Sequence, residues 1–568
     1  MAPRVFLSPD SPLGFGAFDW IELAFAALLI GLLSLDASAL RSRFLQLAQR
    51  TRLCMLLLFV LPIALRLALL PHSPVPLPSG ADDFSYVLLA DTLRHFHLAN
   101  RPHAFPEFFE QLFVLQQPTH SSMYPLGQGI ALALGWMIFS HPWAGLLLST
   151  GAFCSLCYWM LRAWITPGWA LVGGLLAVMQ FGPLCYWMNC YWGGAVSALA
   201  GCLVFGALPR LLSQGHRRDA LLLGAGLSLQ LLTRPFEFLL LLASVLLFLA
   251  PAFRRVRNLL APLLYAAAVL CAAGGLVLLQ NKTVTRTWTT LPYQLYRYQY
   301  GIPATFVFQP NPVPHHELNS EQEMDYRAET AIHDDNPATV AGYFARLLFR
   351  IRFYRFFFFT PLYVAALVFL TRLREPRLAL VALTICLFAL ATNFYPYFYP
   401  HYIAAITCLF VLVSVSGLQR LNRIKLLRLQ PGAMVLGLCA AQFLFWYGVH
   451  AFASLETTSA LARFESWDFI DYGDPQSRIL IDRELARAPG KHLVFVRYNS
   501  SHMFQEWVHN AADIDNARTV WVHDLGVAHN GDLMKRYPER STWLLEPDAQ
   551  PPRLTPYKPD LGPFEMVY

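Results

Sequence analysis

The sequence carries little charge, since only 14% of its 568 residues are Asp, Glu, Lys or Arg, whereas 56% are hydrophobic. Soluble domains have about 25% charged residues, so this composition excludes a soluble enzyme. The apolar residues recur in runs of about 17–25, which is typical of membrane-spanning helices. Because lipid leaves no partner for an open backbone, we predict an α-helical polytopic membrane protein.

Several other features are missing. None of the ten cysteines lies after Cys439, which excludes a disulfide-stapled domain at the C-terminal end. The first apolar run has no basic region before it and no small-residue cleavage site, so we expect no cleavable signal. The histidines show no metal-ligand spacing. No cofactor is therefore firmly predicted, no residue is assigned as a metal ligand, and a divalent metal stays open without support from ligand spacing.

The net charge of +7 does not indicate nucleic acid, because the Lys and Arg residues lie mostly in short loops between apolar runs. The positive-inside rule places such loops in the cytoplasm. The long intervals 71–127 and 281–342 and everything after Ala451 then fall on the exterior side. We predict about 12–13 transmembrane helices, with Gly127–Phe139 as a partial or re-entrant helix because His141-Pro142 follows it.

These patterns divide the chain into three parts: an extra helix with an Arg-rich loop (1–52), a membrane domain (53–453) and an exterior domain (454–568). In the last part, the pattern predicts a helix over Ser477–Ala486 and three buried parallel strands, LVFV, TVWV and TWLL. This small α/β domain has no phosphate-binding glycine motif, so we expect a structural or regulatory role for it.

Asp82 and Asp83 open the first long polar interval, at the start of a helical pattern that runs from Phe84 to Leu93. A second, aromatic helical pattern follows over Phe105–Phe113. An Asp N-cap explains one acid but not both, and a calcium site lacks further spaced oxygen ligands. We favour a general base at the membrane surface, which takes the proton of an attacking hydroxyl or amine.

Three cations could bind a phosphate leaving group: Arg234, Lys282 and His401. Snorkelling to the interface is the alternative for each, and is strongest for Lys282. Near the same predicted helix ends lie side chains that could line a substrate site. They are Tyr124, Gln128, Asn189, Trp192, Tyr293 and Tyr402. The tyrosine-dense loop around Tyr293 fits sugar stacking and an interfacial aromatic belt equally well.

The acidic pair, the amphipathic patterns after it, YPLGQ at 124–128, LLTRPFEF around Arg234 and PHYIAAI around His401 occur in a recognisable order. This order resembles the GT-C class of glycosyltransferases, and more narrowly its protein O-mannosyltransferase and aminoarabinose-transferase-like branch. That branch uses polyprenyl-phosphate sugars. The resemblance covers roughly 53–417 and implies that Asp82 or Asp83 is the first-loop catalytic acid. The extra first helix and the C-terminal domain depart from it.

The resemblance implies an integral membrane glycosyltransferase that moves a sugar from a polyprenyl-phosphate donor to a cell-envelope acceptor (lipid, glycan or protein) at the exterior face, with inversion. The composition suggests a bacterial inner membrane. One alternative is a transporter or flippase of an amphipathic lipid; another is a non-catalytic envelope scaffold. Acids are nearly absent from helix centres and no repeat is found, which favours the enzyme over a transporter.

Overall fold

The computed structural model describes residue 24 and residues 38–250, 260–301, 305–423, 430–453, 475–500, 502 and 506–558. The first predicted apolar run, 18–35, lies outside the described residues apart from residue 24. The same holds for the basic loop at 254–257 and for Lys425 and Arg428.

Helices dominate the first 453 residues, as the apolar runs predict. They are α1 (Ser38–Gln49), α2 (Thr51–Ala68), α3 (Ala81–Arg94), α4 (Leu126–Phe139), α5 (Trp143–Leu161), α6 (Pro167–Phe181), α7 (Ala195–Gln214), α8 (Arg217–Thr233), α9 (Pro235–Leu249), α10 (Leu260–Thr285), α11 (Pro292–Tyr300), α12 (Ser320–Asp334), α13 (Val340–Arg350), α14 (Leu362–Phe369), α15 (Pro376–Thr392), α16 (Thr407–Leu421) and α17 (Pro431–Phe452). Two short strands, β1 (Val114–Leu115) and β2 (Ser121–Ser122), pair in the first loop.

By length and composition, six described helices can cross a membrane, or seven if one bent pair counts as a span; four shorter apolar helices accompany them. The predicted fold class is confirmed: a polytopic helical membrane protein with a small C-terminal α/β domain. The predicted total of 12–13 crossings stays a prediction, since length and composition alone do not decide it.

The helix bundle has two distinct ends. At one end, the Arg162 guanidinium donates to the carbonyl of Ala48 and the hydroxyl of Thr51. We call this the basic end. At the other end, which we call the site end, α3 begins with Asp82, α8 meets α9 at Arg234, and Arg66 donates to Asn189 over 2.7 Å. The Arg-rich loop that ends at residue 52 and the predicted site residues therefore lie at opposite ends.

The helix α4, which the sequence predicts as a partial or re-entrant element, is one continuous helix of 14 residues. It starts at the site end, where Gly127 meets Thr233, and Arg94 of the first loop lies 4.2 Å from the Trp136 ring near its other end. The next helix, α5, also starts at the site end, because the Trp143 indole donates to the Met188 carbonyl. Both ends of α4 thus stay near the site end.

Two local predictions are wrong. The apolar run 343–370 predicts a single span, but this span is broken, because Val340–Phe357 meets Leu362–Arg372 at 114°. The aromatic pattern 105–113 forms only a 3-10 turn at Pro106–Phe109, since Pro106 and the strand β1 interrupt a helix. The helix α10 has 26 residues and extends to Thr285, into the predicted exterior interval 281–342. The bounds of that interval stay a prediction.

The C-terminal domain has α18 (Pro475–Arg487), β3 (Lys491–Val496), β4 (Thr519–His523), α19 (Val527–Arg536), β5 (Arg540–Glu546) and β6 (Arg553–Pro556). Its sheet has the order β4-β3-β5-β6, and β3 pairs in parallel with both β4 and β5, as the sequence predicts. The pattern missed β6, which pairs antiparallel with β5.

One face of this sheet packs on the first loop. Phe108 and Phe109, which are 1% and 2% exposed, share an apolar cluster with Leu493, Val522 and Leu544. The His523 ring nitrogen hydrogen-bonds the Glu110 carbonyl over 2.6 Å, and the Ala512 amide donates to Asp91. The first loop therefore completes the core of the C-terminal domain. The predicted domain boundaries at 52 and 453 stay predictions.

Candidate active site

The two adjacent aspartates occupy the first turn of α3, but neither caps it. The N-cap is Gly80, whose φ is −100°, so capping does not explain either acid. Successive residues on a helix point about 100° apart. Asp82 and Asp83 therefore face different surroundings. The sequence could not decide which of them is the candidate base, whereas their contacts in the structure differ.

Asp83 is buried and links α3 to a distant part of the chain. It is 4% exposed, and its carboxylate accepts from the Tyr191 amide over 2.7 Å and from the Ser79 amide over 3.3 Å. Carboxylates that accept backbone N–H groups are held by charge-assisted bonds. Asp83 thus ties α3 to the loop between α6 and α7.

Asp82 keeps part of its surface accessible and accepts a hydrogen bond from the Tyr124 hydroxyl. Desolvation by the surrounding protein raises the pKa of Asp82 to about 6, whereas the Tyr124 hydroxyl and the charge of Arg234 act to lower it. A higher pKa makes the carboxylate a stronger base, and it remains ionised at neutral pH. These are the properties that a general base needs.

Arg234 stands between α8 and α9, at the same end of the bundle. Its guanidinium donates to Glu237 over 3.1 Å and lies 4.4 Å from the centre of the Tyr402 ring. Glu237 is buried and also accepts from the Tyr395 hydroxyl. Within the described part of the chain, the guanidinium makes no other hydrogen bond, so its remaining N–H groups can serve a ligand.

The predicted residues Tyr124, Tyr402 and Tyr293 surround this pair. Tyr124 stacks on Tyr86 with the ring centres 4.2 Å apart. Tyr402 carries the guanidinium of Arg234 on its face. Tyr293 and Tyr124 both pack against one apolar cluster. The structure therefore brings these three tyrosines to the aspartate–arginine pair.

His401 and Trp192 form a neighbouring aromatic group. His401 is 4% exposed, its Nδ1 lies 3.1 Å from the Tyr186 hydroxyl, and its ring centre is 4.8 Å from that of Tyr402. Trp192 meets the His401 ring edge to face at 5.3 Å. His401 is thus packed behind Tyr402, and Arg234 is the cation nearer to Asp82.

Three predicted residues have local roles instead. The Gln128 amide donates to the Tyr191 carbonyl, and Gln128 packs against Gly193, whose φ is +68°. Asn189 donates to the Cys185 carbonyl and accepts from Arg66. Lys282 lies on the last turn of α10, where its exposed ammonium donates to the Arg286 carbonyl. Among the described residues, no hydrogen bond or ion pair joins Lys282 to Asp82 or Arg234.

The sequence prediction missed a row of carboxyls on α12. Glu321, Asp325 and Glu329 are spaced by four, so they share one face of the helix. Burial raises the pKa of Glu321 to about 8, of Asp325 to about 7 and of Glu329 to about 8. The charge of Asp82 adds to the rise for Asp325 and Glu329, so the row lies near Asp82. The E-x3-D-x3-E spacing was the sequence signal from which this row could have been predicted.

The C-terminal domain contributes to the same region. Glu506 is 3% exposed, and burial and the charge of Glu321 raise its pKa. The His502 ring lies 3.9 Å from Glu321 and 2.7 Å from Asp548. Among the described residues, no group of three or more His, Cys, Asp or Glu side chains is arranged to hold a metal ion.

No family model and no curated protein matches the sequence. Among solved structures, the chain is similar to ArnT from Cupriavidus metallidurans in the apo state, with 12% identity and a TM-score of 0.47 over 86% of this chain and 92% of that one. It is also similar to the oligosaccharyltransferase AglB from Archaeoglobus fulgidus in complex with an inhibitory peptide and a dolichol-phosphate, with 12% identity and a TM-score of 0.36 over 87% and 69%.

The apo form of the Archaeoglobus fulgidus oligosaccharyltransferase gives 11% identity and a TM-score of 0.35 over the same shares. ArnT and AglB both belong to the GT-C class that the sequence motifs resemble. With TM-scores below 0.5, this likeness carries no argument about activity, which rests on the site alone.

Proposed function

We propose that the chain is an integral membrane glycosyltransferase that moves a sugar from a polyprenyl-phosphate donor to a cell-envelope acceptor. The observation that carries the proposal is Asp82, a partly accessible carboxylate whose pKa is raised to about 6, beside the half-buried cation Arg234. A base and an anion-binding cation at the end of an apolar helix bundle suit a substrate with a lipid tail and a phosphate.

In the proposed reaction, a hydroxyl or amine of the acceptor attacks the anomeric carbon of the donor sugar. Asp82 takes the proton of the attacking group, and the bond between the anomeric carbon and the phosphate oxygen breaks. Polyprenyl phosphate leaves as an anion beside Arg234, while Glu237 and Tyr402 hold the guanidinium. A single displacement of this kind inverts the anomeric carbon.

Asp83 has a positioning role in this proposal. Its bonds to the Tyr191 and Ser79 amides fix the first turn of α3, and this turn holds Asp82. Tyr124, Tyr293 and Tyr402 are proposed to line the sugar, and His401 to support Tyr402. We further propose that the site end and the C-terminal domain face away from the cytoplasm of a bacterial inner membrane. The partners would be the lipid-linked sugar, membrane lipid and the acceptor, without nucleic acid.

The test uses the purified full chain and its Asp82→Asn, Asp83→Asn and Glu107→Gln variants. Release of polyprenyl phosphate is followed with a panel of lipid-phosphate sugars, and melting curves check folding. We expect Asp82→Asn to lose at least ~100-fold of turnover with an unchanged melting curve. Asp83→Asn should lower the melting temperature, and Glu107→Gln, an exposed acid of the same loop, should behave as wild type.

Full turnover of a folded Asp82→Asn variant would remove Asp82 from the mechanism. Absence of release by the wild type with every donor, together with movement of the lipid across vesicle membranes, would favour the transporter. The charges of the described helices lie mainly near their ends, as with Arg66 and Glu237, and this distribution supports the enzyme.

A further inference from the structure

Helix α13 (Val340–Arg350) has its apolar residues outside and its charges inside. Val340, Phe344 and Leu348 follow each other at a spacing of four and are 75%, 57% and 70% exposed. Arg346 and Arg350 are only 7% and 5% exposed. A helix at a water-facing surface shows the opposite pattern, with its apolar stripe on the core.

The two buried arginines bind the end of another helix. Arg346 donates to the carbonyls of Pro337 and Asn393, and Arg350 donates to those of Thr392 and Tyr395 over 2.7 and 2.6 Å. The carbonyls of Thr392, Asn393 and Tyr395 lie at the C-terminal end of α15, where the last turn leaves acceptors unsatisfied and the helix dipole is negative. The arginines therefore hold α13 against the site end of an apolar helix.

The orientation of α13 is crosswise to the bundle. Together with the 3-10 turn that follows it, α13 meets α14 at 114°. The helix α14 packs closely along α16, since Gly417 touches the backbone of Ala365. Because α16 belongs to the apolar stretch Pro400–Leu421, which is long enough to cross a membrane, α13 lies across the bundle at the level of the helix ends.

The rest of the exposed face is apolar too. Ala341, Ala345 and Phe349 are exposed on α13, and a soluble surface rarely carries so continuous an apolar patch. Exposed aromatic rings continue the patch beyond α13, because Tyr343 contacts Phe394 and Phe394 contacts Phe308. Aromatic rings of this kind collect at the boundary between lipid and water.

A cation marks the edge of the patch. The Arg352 guanidinium lies 4.4 Å from the centre of the Phe349 ring, where its charge can reach lipid phosphates while its stem stays on apolar surface. An apolar face, aromatic neighbours and a cation at the rim are the features of a helix that lies in a membrane surface.

We infer that α13 is a membrane-surface helix whose exposed face contacts the acyl chains of the leaflet on the site side. The occupant of this face is lipid, rather than water or a second copy of the chain. This inference does not depend on the proposed function, because it uses only the pattern, the anchoring and the orientation of α13.

The test places a spin label on the exposed face of the full chain in vesicles of phosphatidylethanolamine and phosphatidylglycerol. Ala341→Cys and Ala345→Cys are conservative in size, and Leu348→Cys adds a third position. The exposed cysteines Cys271 and Cys386 are first replaced by serine. Glu323→Cys on α12, whose side chain is 41% exposed, serves as the water-facing control.

We expect the α13 labels to collide with oxygen, which concentrates in lipid, at least ~3-fold more than with a water-soluble nickel chelate, relative to the control label. Greater access to nickel at these three positions would place the face in water and overturn the inference. Spin–spin broadening that disappears on dilution with unlabelled protein would show a second copy on the face, and would also overturn it.

Discussion

At the residue scale, the site depends on the different surroundings of two adjacent aspartates. The sequence identified the pair, but residue type and spacing are the same for both acids. Only the tertiary contacts distinguish them, because the Tyr191 amide that binds Asp83 is 108 residues away. The tyrosine that binds Asp82 is 42 residues away. Neither contact leaves a local pattern in the sequence.

The raised pKa of Asp82 predicts the pH dependence of the proposed reaction. A general base works when deprotonated, so kcat/KM should fall as the pH drops through about 6 and level off above about 7. The Tyr124 hydroxyl lowers the pKa of Asp82, so Tyr124→Phe should move this acidic limb to higher pH by about one unit. The measurement is kcat/KM from pH 4.5 to 8.5.

Tyr86→Phe is the matched control for this prediction. Tyr86 stacks on Tyr124 but does not hydrogen-bond Asp82 in the described structure. Removal of its hydroxyl should leave the limb in place. A limb that stays in place in Tyr124→Phe would contradict the assignment of the titrating group to Asp82.

At the scale of elements, helices were predicted well because each apolar run is long enough to be read from the sequence alone. Four apolar stretches can be found in the sequence between Gln128 and Arg210, and the structure has four helices there. Broken elements were not predicted, since the break at 351–361 follows from tertiary bonds. Arg350 binds the end of α15, and the Phe356 carbonyl accepts from Gln180. The aromatic run FYRFFFF at 353–359 predicts a continuous span, because the sequence does not show these tertiary partners.

The same bonds connect α13 to the proposed site. Arg350 donates to the Tyr395 carbonyl, the Tyr395 hydroxyl donates to Glu237, and Glu237 binds Arg234. The helix proposed to lie in the membrane surface is therefore only three contacts from the cation proposed to receive the lipid phosphate.

The carboxyl row of α12 predicts that stability falls as the pH rises. Glu321, Asp325 and Glu329 have pKa values above those of the unfolded chain, so the unfolded state releases its protons first. Their stabilising effect is complete below about pH 4 and is lost by about pH 8. In the described part of the chain, the charged groups that face the row include Asp82, Glu506, His502 and Asp548.

Combined replacement by Gln, Asn and Gln at 321, 325 and 329 should flatten this dependence. We expect the variant to gain roughly 1–3 kcal/mol relative to wild type between pH 5 and pH 8.5. Thermal unfolding in detergent at both pH values measures the change. The control is Glu323→Gln, an exposed acid of the same helix, which should leave the wild-type slope. If the combined variant loses stability with rising pH as steeply as the wild type does, the row does not titrate in this range.

At the scale of the whole molecule, the C-terminal domain and the first loop form one packed unit. The sequence predicted the parallel sheet of this domain from three apolar segments. It could not predict the docking, because Phe108 and Phe109 have the same pattern as an amphipathic helix. Their burial against Val522 and Leu544 depends on contacts between residues about 400 positions apart.

Because the first loop and the C-terminal domain are packed together, we predict that a charge placed at their contact uncouples them. Phe109→Asp buries an unpaired carboxylate and empties a packed site, and should cost roughly 3–5 kcal/mol. Scanning calorimetry should then show two transitions or an early one, where the wild type unfolds as one unit. Phe96→Asp makes the same change at an 84% exposed position of the same loop and should leave the transition unchanged. Identical melting of both variants would show that the docking contributes no stability.

The long separation along the chain also has a consequence for synthesis on the ribosome. His523 and its partner Glu110 are 413 residues apart, and chains grow at about 5–20 residues per second. Phe108 and Phe109 are therefore synthesised about 20–80 s before the sheet that covers them in the folded protein. During this interval the apolar side chains of the first loop are uncovered, so a chaperone can bind them. Glu321 and Asp325 of the carboxyl row likewise come near Glu506 only after most of the polypeptide has been made.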